Sequence, residues 1–142
     1  SLYNANDYRT YGMVLYKWVF DGEDNLQIGI DRRSNSLQML IRIYNKDKEI
    51  LKQIKEFIKC GNIYTRKSNN VSELTISDKK ACLNFLKGIY SYSVLKKRQI
   101  DYLFNNFIFE LGKNNKNFDL TYFNSFKANK GKDKWLTARS IK

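Results

Sequence analysis

Leu26-Gln27-Ile28-Gly29-Ile30-Asp31-Arg32-Arg33-Ser34-Asn35-Ser36-Leu37-Gln38-Met39-Leu40-Ile41-Arg42-Ile43-Tyr44 is the stretch that decides the fold class. Leu26, Ile28 and Ile30 alternate with Gln27, Gly29 and Asp31, the two-residue period of a half-buried strand. A polar turn at residues 32–36 follows. Leu37, Met39, Ile41 and Ile43 then alternate with Gln38, Leu40, Arg42 and Tyr44. The pattern predicts an antiparallel hairpin with one apolar and one largely polar face.

Outward from the hairpin the period changes. Asn45 is placed to cap a helix over residues 46–59, where Ile50, Leu51, Ile54, Phe57 and Ile58 recur at helical spacing and Gly61 ends the run. Residues 62–67 and 71–77 predict a second hairpin around Ser68-Asn69-Asn70. Asp78 caps a helix carrying Ala81, Cys82, Phe85, Leu86 and Ile89. A longer helix is predicted over residues 96–112 from Ile100, Leu103, Phe104, Phe107, Ile108 and Leu111. Upstream, residues 8–20 form an apolar periodic segment that ends in Asp21-Gly22-Glu23-Asp24-Asn25. The order predicts an α+β domain: a four-stranded antiparallel sheet with helices on one face. Its boundary falls at residues 1–112. A basic C-terminal extension, residues 113–142, begins with a short helix near residues 120–126.

The chain of 142 residues carries 26 Lys plus Arg against 14 Asp plus Glu, a net charge of +12, and its 42% hydrophobic residues suffice for a core. So large a surplus on one domain points to a polyanionic partner, because self-repulsion costs stability that a neutral surface would not lose. Histidine is absent, which excludes a Ser-His-Asp triad, Cys-His proteolysis and any nuclease with a histidine base. Cys60 and Cys82, at the edges of apolar runs, read as buried free thiols in a reducing compartment rather than as a disulfide framework. No run of about 18 apolar residues occurs, so no membrane span is expected. Proline is absent, and Lys, Asn, Ile, Tyr and Phe, all with A/T-rich codons, are abundant. That bias points to an A/T-rich, organellar genome and a mitochondrial or other organellar location.

If the apolar strand residues face the helices, then Gln27, Gln38, Arg42, Asn62, Tyr64, Arg66 and Thr75 face the other way. They form the candidate nucleic-acid surface, extended by Arg32 and Arg33 of the hairpin turn and by Lys67. Tyrosines interleaved with cations suit stacking on bases beside phosphate contacts. Lys97 and Arg98, then Lys127, Lys130, Lys132 and Lys134, supply further phosphate-binding candidates.

Tyr16-Lys17-Trp18-Val19-Phe20-Asp21-Gly22-Glu23-Asp24, a helix that ends in Asp-Gly-Glu ahead of an alternating hairpin, resembles the motif of the LAGLIDADG homing endonuclease family. Asn45-Lys46-Asp47-Lys48-Glu49-Ile50-Leu51, Gly61-Asn62-Ile63-Tyr64-Thr65-Arg66-Lys67, Leu95-Lys96-Lys97-Arg98-Gln99 and Phe126-Lys127-Ala128-Asn129-Lys130-Gly131 resemble later stretches of it in the same order. The resemblance implies an αββαββα domain that pairs with a second copy, motif helices at the centre. It places the metal-binding acid on Glu23, with Asp21 in the same turn, and the basic group near the scissile phosphate on Lys96 or Lys97. Mg²⁺ is the implied cofactor of an active enzyme.

Three residues depart from the family's pattern. Lys17 and Trp18 stand where small residues let two motif helices touch, and overpacking such a contact costs roughly 1–3 kcal/mol. Asp24 replaces a glycine. Two functions are therefore expected as alternatives. One is a domain retired from catalysis that needs no cofactor and binds RNA in an organellar ribonucleoprotein such as the mitochondrial ribosome. The other is an active, homodimeric, Mg²⁺-dependent DNA endonuclease that uses Glu23 and Lys96.

Overall fold

The computed structural model describes residues 25–93 and 96–128. The predicted first helix, with Lys17, Trp18, Asp21, Glu23 and Asp24, lies outside the described residues, as do Lys130, Lys132 and Lys134.

Strand β1, Leu26–Arg33, and strand β2, Ser36–Asn45, form the first hairpin. Helix α1, Lys48–Ile58, leads to strands β3, Asn62–Thr65, and β4, Ser72–Ile76. Helix α2, Lys79–Ile89, passes through one 3-10 turn, Tyr90–Tyr92, towards helix α3, Lys97–Asn106. Helix α4, Leu120–Ala128, comes last. All pairings in the sheet are antiparallel, and its order is β1-β2-β4-β3.

The predicted apolar face holds. Leu26, Ile28, Ile30, Leu37, Met39, Ile41 and Ile43 are all buried, and with Leu74 and Ile76 of β4 they form one core with Leu51, Ile54, Phe85, Leu86, Ile100 and Leu103 of the helices. Burying a side chain of this size contributes roughly 1.5–3 kcal/mol, so this face outweighs any single polar term in the molecule. Phe118 and Phe123, beyond Gly112, join the same core.

Four details differ from the pattern read along the sequence. Asn45 closes β2 and turns the chain, its Oδ1 accepting from the Asp47 amide at 2.8 Å, while Asp47 is the cap of α1 and accepts from Glu49 N at 3.0 Å. Helix α1 is ended by Lys59 in the left-handed conformation (φ 61°), not by Gly61. Gly61 serves a different need: at φ 109° an added Cβ would lie 2.8 Å from Leu74 Cδ1 and 3.1 Å from the Thr75 carbonyl oxygen, so only glycine lets the chain enter β3 against β4. The fourth is α3, which stops at Asn106 instead of reaching Gly112. Asn105 and Asn106 turn their Nδ2 groups back onto the carbonyls of Asp101 and Tyr102, at 2.8 and 2.9 Å. Downstream, the buried Asn115 amide clasps Ile108, accepting from its N–H at 2.6 Å and donating to its carbonyl at 3.2 Å. That clasp folds the stretch back so that Phe107 meets Phe109 and Phe118, with ring centroids 5.1 and 5.4 Å away.

Candidate nucleic-acid interface

The strand registers assemble the polar face residue by residue. Gln27 pairs with Arg42, Arg42 with Thr75, and Thr75 with Asn62, so four hydrogen-bonding side chains from four strands form one row across the sheet. The next row holds Tyr44, Glu73 and Tyr64. All point away from the core because side chains alternate between the faces of a strand. Tyr64 is exposed, and its ring is open to stacking.

Two carboxylates organise this face. Glu73 lies 3.8 Å from Arg42 and 3.6 Å from Arg66, and it accepts from the Thr75 hydroxyl at 2.7 Å. Asp31 reaches Arg42 from the other side at 3.9 Å, past Gly29, which has no side chain to intervene. The Arg66 guanidinium also lies over the Tyr44 ring, 5.5 Å from its centroid, and Tyr44 donates to Gln27 Oε1 at 3.1 Å. Burial, and then the charge of Glu73, push the Tyr44 hydroxyl above its ordinary range, so it stays a neutral donor. This face carries Arg33 and Arg42 on its strands and Arg66 one residue beyond β3, against Asp31 and Glu73: three cations to two carboxylates. The surface is poised and nearly neutral rather than strongly basic.

Gln38 adds an acceptor that nothing among the described residues satisfies. Its Oε1 is buried without a hydrogen-bond partner, although the residue sits on the open side opposite Asp31. An orphaned buried acceptor is costly unless a ligand donor meets it.

The remaining candidates separate. Arg33 belongs to the open face, but Arg32 pairs with Leu37 and so falls on the helix side of the sheet. The turn is shorter than the polar run: it is Ser34-Asn35, with Ser34 at φ 49°, and the arginines lie within β1. Lys67 is exposed in the turn after β3. Lys97 and Arg98 lie on α3, outside the strand rows. The Lys97 ammonium stands 4.9 Å from the Tyr90 ring centroid, and Arg98 stands 5.1 Å from that of Phe126. Lys127 falls in α4, and its side chain is outside the described set. Lys96, one of two lysines expected near a scissile phosphate, is only 4% exposed at the start of α3, whereas Lys97 is exposed. Tyr90 donates to Asp101 Oδ1 at 2.6 Å and packs on Phe104. Asp31 and Glu73, which hold the arginines, are absent from the sequence-derived candidates. No group of three or more His, Cys, Asp or Glu able to hold a metal occurs among the described residues, so the metal reading rests on Glu23 and Asp21 alone.

The family model of LAGLIDADG endonucleases matches residues 19–109, well over half of the chain. The chain belongs to the LAGLIDADG endonuclease family. No curated protein matches the sequence. Among solved structures, the homing endonuclease I-CvuI in complex with its target is 17% identical, with 72% of this chain and 68% of that one covered and a TM-score of 0.53. The LAGLIDADG meganuclease I-AabMI bound to uncleaved DNA is 19% identical, with 63% and 33% covered and a TM-score of 0.51. The homing endonuclease I-TnaI is 15% identical, with 66% and 69% covered and a TM-score of 0.51. The likeness establishes the LAGLIDADG fold, and the chain spans about a third of the length of I-AabMI.

Proposed function

We propose that this LAGLIDADG domain binds duplex DNA through the open face of its sheet and reads base edges there. The row Gln27–Arg42–Thr75–Asn62 carries the reading. A major groove admits a β-ribbon; arginine pairs bidentately with guanine, and glutamine or asparagine with adenine. The row offers those three side-chain types at strand spacing, and Glu73 and Asp31 hold its arginine in place. That I-AabMI is bound to DNA supports the same partner.

Cleavage within this reading requires Glu23, with Asp21, to hold Mg²⁺, which supplies an activated water and charge neutralisation. A second copy of the domain or a protein partner would bring the other acid. Lys17, Trp18 and Asp24 favour a second reading: a domain that no longer cuts and holds RNA within an organellar ribonucleoprotein such as the mitochondrial ribosome. The abundance of Lys, Asn, Ile, Tyr and Phe, residues with A/T-rich codons, supports an organellar home for either.

Selection from a randomised duplex library with Mg²⁺, followed by sequencing of bound and cut molecules, tests this. Arg42→Ala and Asn62→Ala are expected to change the selected bases, each giving up roughly 1–3 kcal/mol of discrimination at the base pair it reads. A selected sequence identical to wild type in both variants would overturn the sheet-face reading. Site-specific cutting abolished by Glu23→Gln would identify an active enzyme; selection without cutting would identify a retired one.

A further inference from the structure

Helix α1 and strand β3 build a second surface, which meets the reading rows only at Asn62 and Tyr64. Lys48, Lys52, Lys55 and Lys59 follow one another at intervals of four, three and four residues, which stacks them along one side of the helix. At a rise of about 1.5 Å per residue the ladder spans about 16 Å. It walls a groove of about 1010 Å³, floored by residues 60–63 and bordered beyond by Tyr64, 59% exposed. Among the described residues Glu56 is the only carboxylate in its lining. Strand β3 is the outer strand of the sheet, and among the described residues no other strand pairs with its free edge.

The ladder works against the helix that carries it. Like charges three and four residues apart repel. Only Lys52 is paired, with Glu49 at 3.2 Å; among the described residues Lys48, Lys55 and Lys59 have no carboxylate within ion-pair distance. The helix dipole favours cations near the C-terminus, which accounts for Lys55 and Lys59, but it disfavours Lys48 in the first turn. Lys59 moreover holds a left-handed backbone (φ 61°) at a helix end where glycine is the usual occupant. A merely solvated face would interleave acids with bases. Here four lysines line the groove against one acid, Glu56.

We infer that this groove binds the phosphodiester backbone of a single nucleic-acid strand, with phosphates along the lysine ladder and a base stacked on Tyr64. One row of cations matches one backbone, and every base has a π-face for the tyrosine. An acidic peptide would satisfy the lysines and leave the aromatic ring unused. The inference goes beyond the duplex reading of the sheet face and does not depend on it.

The test is fluorescence anisotropy of the full chain with labelled oligo-dT and oligo-U of about 12 nucleotides, within the roughly 4–16 typical of such sites, across a salt series. Replacing Lys48, Lys55 and Lys59 together with Gln, which keeps helix propensity, is expected to weaken binding at least tenfold. It should also flatten the salt slope by about 2, at about 0.7 for each single-strand phosphate neutralised. Tyr64→Leu should weaken binding and leave the slope unchanged. Equal effects on the two oligonucleotides would assign recognition to phosphate and base alone, and larger effects on oligo-U would make RNA the occupant. The inference is overturned if wild type binds neither strand, if the folded triple variant keeps wild-type affinity and slope, or if oligo-glutamate displaces the strand at equal charge concentration. Arg42→Ala with duplex DNA is read out separately, so loss of one surface leaves the other measurable.

Discussion

Glu73 restrains two arginines and a threonine on the face proposed to read nucleic acid, and it does so at partly exposed positions. Pairs of this kind contribute only about 0–1 kcal/mol to stability, so their weight lies in orientation. In Glu73→Gln, the fold should lose less than about 1 kcal/mol while Arg42 is left with Asp31 alone and Arg66 with the Tyr44 ring. We expect tighter binding to random duplex, a steeper salt dependence and poorer discrimination between selected and random sequence. Isotherms on both duplexes across salt check this; unchanged discrimination would show that Glu73 does not orient the arginines. This residue was hidden in the sequence. Alternation puts Glu73 on the open face, but its neighbours follow from the register of β2 with β4, strands 27 residues apart at the Asn45–Ser72 pair, and no local signal carries that alignment. The thiols follow their surroundings more simply. Cys82 is fully buried and donates to the Ile76 carbonyl at 3.5 Å, and burial, with Cys60 and Asp78 nearby, raises it from 9.0 to about 12. The folded chain therefore keeps a proton that the unfolded chain gives up above 9.0, and this contribution to stability is lost as pH rises from 9.0 towards 12. The stability difference between wild type and Cys82→Ala, measured by urea unfolding, should shrink over that interval, and a thiol reagent should label Cys60 well before Cys82 in the folded chain.

At the level of elements, the first hairpin is legible because a period of two over eight and ten residues has few other interpretations, and the second, with strands of four and five residues, because its polar turn separates two short runs. The helices were legible in kind and less so in extent. Phe107, Ile108 and Leu111 continue the helical phase of Ile100, Leu103 and Phe104, so apolar spacing alone carries α3 too far. Its true end is a hydrogen-bonding event between side chains and backbone: two asparagines folding back, and Asn115 closing a loop from seven residues away. Such competition is characteristic of asparagine, but its partner is visible only in three dimensions. Asn115→Ala should destabilise the domain by about 1–3 kcal/mol, because both polar groups of Ile108 lose their partner. Asn115→Asp should do no better than half of a rescue, since a carboxylate accepts from the amide but cannot donate to the carbonyl. Thermal or urea unfolding of the two variants distinguishes loss of the clasp from loss of packing volume; equal stability of wild type and Asn115→Ala would dismiss the clasp as a structural element.

For the whole molecule, the net charge of +12 is not concentrated where the bases would be read. The strand residues of the open face nearly balance, while cations gather on α1 and, in the sequence, beyond Lys127. Affinity and selectivity should therefore separate under mutation. Removing residues 132–142, which hold Lys132, Lys134, Arg139 and Lys142 against Asp133, should flatten the salt slope on nucleic acid without changing the selected bases. A slope equal to that of the full chain would place the phosphate-binding groups elsewhere. Charge and its sign were the easiest properties to read from the sequence, whereas the division of labour between surfaces needed the registers.

The strand order β1-β2-β4-β3 has a consequence for how the protein is made. Each hairpin closes through a short local connection, but the join between β2 and β4 must bridge α1 and β3, and non-local pairings of this kind form slowly because loop entropy is lost before native interactions compensate it. That join is the seam of the sheet, and the reading row crosses it between Arg42 and Thr75. Two folded hairpins with an open seam would carry half a row each and recognise nothing. On the proposed reading, selective binding reports that the last long-range step of folding is complete, and a duplex bound across the row would act as a clamp, holding the seam shut by mass action with a strength that grows as the logarithm of its concentration.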